Sequence, residues 1–169
     1  MKKATSKKVN KCAAWKIDER RMMKTADNLF TDEGRCCGEA VLAAGCEAVD
    51  VKNALVPSVA LGLGGGVGLQ GETCGAVTGA ALAVSVAWLE KEPCYDERKM
   101  ATFESAGRVC AALKKKWGSV RCRKLCGINL ARPGGLEKLV AGVKDEKCAG
   151  FVKDAARELA KELKVIAKA

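Results

Sequence analysis

The chain has 169 residues, with ten cysteines, no histidine, and 30 Lys and Arg against 20 Asp and Glu for a formal charge of +10. That length builds one domain with a proper core and needs no disulfides to fold. The missing histidine excludes a Ser-His-Asp or Cys-His catalytic pair and a His-ligated haem, and it leaves a zinc site only sulfur or carboxylate ligands. What remains is sulfur chemistry: thiol–disulfide exchange, or a soft metal held by thiolates.

Residues 1–15 form a basic arm that carries Cys12 and is expected to be disordered; a single all-α, cysteine-rich domain is expected over 16–169. Charged residues rather than an apolar segment follow the first lysines, so no secretory signal is read and a cytoplasmic location is expected. Thiols stay reduced there, and clustered cysteines point to metal or redox work.

Helical spacing then begins. Met22, Met23, Ala26, Leu29 and Phe30 predict a helix over about Lys16 to Thr31, ended by Gly34. A second helix is predicted from Arg35 to Val49 with Ala40, Val41 and Ala44 inward, and a short third from Lys52 to Leu63 in spite of Pro57. A glycine-rich turn follows in residues 64–79, GGGVGLQGETCGAVTG, and Thr73 is expected to cap the central buried helix after it, which runs to Leu89. Glu72 and Glu90 bound that apolar run, which is too short and too rich in Gly and Ala for a membrane span. Beyond Pro93, a long helix is predicted from Tyr95 to Trp117 with Met100, Phe103, Val109 and Leu113 along one side. Short helices are expected at Arg121 to Cys126 and Leu136 to Val140. The last, from about Glu146, has a clean stripe of Val152, Ala155, Ala156, Leu159, Leu163 and Ile166. No run alternates with period two, so the class is all-α: one compact multi-helix bundle.

Two decoys sit in the glycine-rich turn. Residues 66–71, GVGLQG, match the G-x-G-x-x-G of dinucleotide-binding folds, but nothing after residue 91 supplies the strands of a parallel sheet. The Walker A pattern fails because Glu72 stands where lysine must be. A sulfur site fits better. Glycines let several N–H groups converge on an anion, a helix N-terminus adds positive charge, and Cys74 lies at that junction. Cys37, Cys122 and Cys148 are also placed near helix starts, where thiol pKa values fall.

These residues carry a family resemblance. The CGAVTG of residues 74–79 after its glycine-rich turn, CGEAVL at 37–42, WGSVRCRKL at 117–125 and KCAGFV at 147–152 together resemble the redox-active protein family named for its C_GCAxxG_C_C pattern. The resemblance spans roughly Ala26 to Leu159. The family is similar to the iron–sulfur portion of split-Soret cytochromes, which are helical and dimeric, so the resemblance implies a homodimer and a four-cysteine site on Cys37, Cys74, Cys122 and Cys148. That site would hold an iron–sulfur cluster, 2Fe–2S in preference to 4Fe–4S, tuned by N–H groups of residues 71–76, with Arg35, Arg121 and Arg123 offsetting its charge. No haem is implied, since the C-x-x-C-H attachment motif is missing. Thiol–disulfide cycling by pairs such as Cys37 and Cys74 is the rival reading, and storage of cuprous copper or another soft metal the third.

Of the other six cysteines, Cys36 is a candidate substitute ligand or resolving thiol, and Cys122 and Cys126 share one helix face. Cys46 and Cys110 read as core, Cys12 as exposed, and Cys94 has no assigned role. The expected partner is an acidic redox protein drawn to a basic surface. Three Trp, three Phe and one Tyr, not interleaved with basic residues, disfavour nucleic acid.

Overall fold

A computed structural model describes residue 15 and residues 17–169. The basic arm, Trp15 excepted, and Cys12 lie outside the described residues. The α-helices are α1 (Glu19–Thr31), α2 (Cys37–Ala48), α3 (Gly75–Lys91), α4 (Tyr95–Trp117), α5 (Cys122–Cys126), α6 (Gly135–Lys138) and α7 (Ala149–Lys168). Among the described residues there are no strands, only one antiparallel bridge between Thr73 and Arg121. The all-α expectation holds.

The helices form where the sequence supplies both an apolar stripe and a way to start. Asp18 accepts the N–H groups of Arg20 and Arg21 to open α1. Met22, Ala26 and Phe30 then face inward. Every residue of the α7 stripe is fully buried, and α7 packs on α1, α2, α3 and α4. On the α4 side, Glu162 of α7 is held by Arg108 (2.6 Å), and buried Ser105 accepts the Trp88 indole N–H of α3 (2.9 Å). α2 and α3 share the most extensive contact. A Cβ at Gly79 would collide with the Gly38 backbone, so glycine at this crossing lets the two backbones meet.

Three expectations need correction. Lys52 to Leu63 is not an α-helix: a turn leads through a cis Val56–Pro57 peptide into a 3-10 segment, Ser58–Leu63. Proline lacks the N–H a helix needs and bars its predecessor from helical dihedrals. On α4, Val109 and Leu113 are buried but Met100 and Phe103 are exposed. At about 100° per residue, nine positions put Met100 on the opposite side of the helix from Val109. Finally, α7 does not begin freely. A π-helical stretch, Leu139–Cys148, kinked at Gly142, leads straight into it. No described helix is long and apolar enough to cross a membrane.

Candidate functional site

One end of the bundle gathers the chemistry. The starts of α2 and α3, the glycine-rich loop, α5 and the π-helical stretch surround a cavity of about 370 Å³. Cys37, Cys74, Cys122 and Cys148 all line it. Four segments far apart in sequence thus bring the four expected sulfurs to a single pocket.

Local backbone explains the convergence. Cys74 N–H donates to the Val120 carbonyl (2.8 Å), Cys122 N–H to Glu72 (2.6 Å) and Arg123 N–H to Gly71 (3.0 Å). This short antiparallel ladder fixes Cys74 and Cys122 side by side. Thr73 is occupied in the ladder, so Cys74 and not Thr73 is the N-cap of α3. Cys37 is brought to Cys74 by the α2–α3 contact, and a Cβ on Gly75 would lie 2.5 Å from the Cys37 sulfur. Ahead of it, buried Glu39 reaches back to accept the Cys36 N–H (3.0 Å), in capping-box fashion. The loop itself is strained: Val67 and Leu69 have φ of 61° and 67°, a left-handed conformation that side-chain-bearing residues adopt rarely and at a cost of about 1–3 kcal/mol.

The thiols interact with one another. The neighbouring Cys74 thiol, then burial, holds the Cys37 thiol well above its ordinary pKa, opposed by the N–H groups of Gly38 and Gly65. Burial, followed by the neighbouring Cys126, Cys37 and Cys148, pushes Cys122 up to about 12. Burial with Cys37 and Cys126 nearby does the same to Cys148, up to about 12. The expectation that helix starts would lower these values fails for Cys37, Cys122 and Cys148, because desolvation and mutual repulsion between sulfurs outweigh the dipole. Cys148 has no helix start at all, since the backbone on both sides of it is helical. Of the expected N–H donors at 71–76, those of Gly71, Glu72 and Cys74 bond backbone carbonyls; Gly38 and Gly65 offer N–H groups to the Cys37 sulfur.

Cys36 also lines the cavity, its thiol raised by burial and by Cys37 and opposed by Lys144. Cys126 is buried against Cys122 in a small apolar cluster with Leu130. Cys46 and Cys110 pack in the main core as expected, and Cys94 is exposed at the start of α4. Sequence reasoning did not find Phe30, Lys144 and Phe151 as cavity residues. Lys144 carried no signal beyond charge. Among the described residues, no group of three or more His, Cys, Asp or Glu side chains closes tightly enough to hold one metal ion.

A family model described as "Putative redox-active protein (C_GCAxxG_C_C)" matches residues 35–162, and all five cavity cysteines fall inside the match. The chain belongs to this family. Five cysteines of the matched span thus line a common pocket, with Cys126 beside Cys122. No curated protein and no solved structure is matched by the chain.

Proposed function

We propose that this redox-family protein transfers electrons through an iron–sulfur cluster held by Cys37, Cys74, Cys122 and Cys148, 2Fe–2S in preference to 4Fe–4S. The observation that carries the reading is the arrival of these four thiols, from four separate segments, around one cavity. The donor set suits the group. Four cysteines are the complement such clusters take, and two irons divide the ligands between them. When bound, the cluster supplies one-electron storage. The chain's own part is to bind and to tune. The Gly38 and Gly65 N–H groups stabilise charge on the Cys37 sulfur, and the apolar walls formed by Leu130, Leu139 and Val152 keep water from the sulfurs. A formal charge of +10 favours an acidic protein as the electron partner.

The experiment is anaerobic purification with iron and acid-labile sulfide analysis and a visible spectrum. Cys74→Ser is expected to lose both iron and sulfide, and Cys12→Ser to keep them. Equal metal content in the two variants overturns the assignment. The closeness of the Cys37 and Cys74 thiols favours a second reading, in which this pair closes to a disulfide with release of two electrons and two protons. In that case metal-free protein changes its alkylation titre by two thiols per chain on reduction, and carries no iron when isolated without oxygen.

A further inference from the structure

The sulfurs occupy only part of the cavity wall. Much of the rest is aliphatic and aromatic, including Phe30, Leu69, Leu139 and Phe151, and no carboxylate lines it. Two cations do. Arg35 lies at the edge, and Lys144 sits with its ammonium 5.0 Å above the Phe30 ring, making no ion pair with a carboxylate among the described residues. Around the mouth, Leu61, Leu136 and Val140 are 56%, 46% and 64% exposed. The cavity of about 370 Å³ falls in the range of pockets that bind small organic molecules, and a cluster on the four cysteines would take part of it. An apolar wall of this kind favours an apolar body over water. Donor-only cations at its edge favour electron-rich oxygens on that body.

We propose that this cavity is a binding site for a lipophilic quinone, its ring against the apolar wall and a carbonyl oxygen toward Lys144. The choice of a quinone over other flat apolar molecules rests on the redox reading given above; the pocket itself does not. Bound there, the ring lies beside the sulfur wall, and the Lys144 ammonium is the donor for its carbonyl oxygen.

Duroquinone serves as the probe, because its four methyl groups leave no ring carbon open to thiol addition. Trp117 reports on it, since its ring centroid is 4.9 Å from that of Phe151 in the cavity wall. The expected result is saturable quenching of tryptophan fluorescence. Val140→Glu and Leu136→Glu, both at exposed positions that tolerate a charge, are expected to raise the Kd about tenfold by placing a carboxylate beside an apolar ligand. Lys144→Gln is expected to raise it about threefold, on the scale of one partly exposed charge. Phe103→Glu, exposed on α4 and not part of the cavity wall, should change nothing. Quenching that stays linear to the solubility limit, or a Kd indifferent to both glutamates, overturns the site. Iron measured on the same samples separates the two ideas. Saturable binding to iron-free protein upholds the pocket and removes the cluster, whereas linear quenching of iron-loaded protein removes the pocket alone.

Discussion

Gly75 shows how one hydrogen atom in place of a methyl group sets the site. Its ideal Cβ would stand 2.5 Å from the Cys37 sulfur and 3.2 Å from the Gly38 nitrogen and the Leu63 oxygen. Gly75→Ala is therefore expected to destabilise the protein by about 1–3 kcal/mol, the cost of overpacking a tight contact, and to weaken the Cys37–Cys74 pairing. Urea denaturation of the single variant and of a Gly75→Ala, Cys37→Ala double variant checks this. The double variant should recover much of the loss, and a purely additive result would mean that the sulfur is not what the methyl strikes. A pH dependence follows from the same crowding. The folded state raises the thiol pKa values of Cys122 and Cys148 to about 12 from an ordinary value of 9.0. Folded protein thus keeps protons that unfolded protein releases, so this contribution is fully present below pH 9 and is lost as pH rises toward 12. Reduced, metal-free protein is expected to lose stability over that window, and Cys148→Ala to lose less.

Among the elements, the ladder between the glycine-rich loop and α5 does most to assemble the site. Arg123 reinforces it by donating to the Gln70 carbonyl (2.9 Å) while its stem covers Gly71. Arg123→Ala is expected to cost no more than about 1 kcal/mol globally, one hydrogen bond's worth, yet to speed amide exchange in residues 65–72 measurably. Unchanged exchange there would show that the three backbone bonds suffice by themselves. The elements also show what sequence could foretell. The α7 stripe was legible because its buried positions repeat at helical spacing and every one of them meets a neighbouring helix. Met100 and Phe103 were misplaced because being apolar does not say which side of α4 finds a partner. The ladder left no trace in the sequence, since four residues from each of two distant segments, 71–74 and 120–123, set no periodicity. Cys148 was placed at a helix start because a π-helical lead-in through Gly142 has no pattern distinct from a loop.

Across the whole molecule the core divides in two. The main cluster joins α1, α2, α3, α4 and α7, while Cys122, Cys126 and Leu130 form a smaller one that meets it at Cys148. The sulfur cavity lies at this seam, so a centre bridging Cys37 and Cys74 to Cys122 and Cys148 would tie the small cluster to the large one. The ordered cysteine motifs made the four residues legible from sequence, but their convergence was not, because distances between segments depend on helix packing such as the Gly38–Gly79 approach. The most direct test is iron X-ray absorption on anaerobically purified protein. A shell of about four sulfurs around each iron, with a short iron–iron vector, is the predicted result for a cluster on four cysteines. A first shell dominated by oxygen, or a lone iron with no iron neighbour, would contradict it.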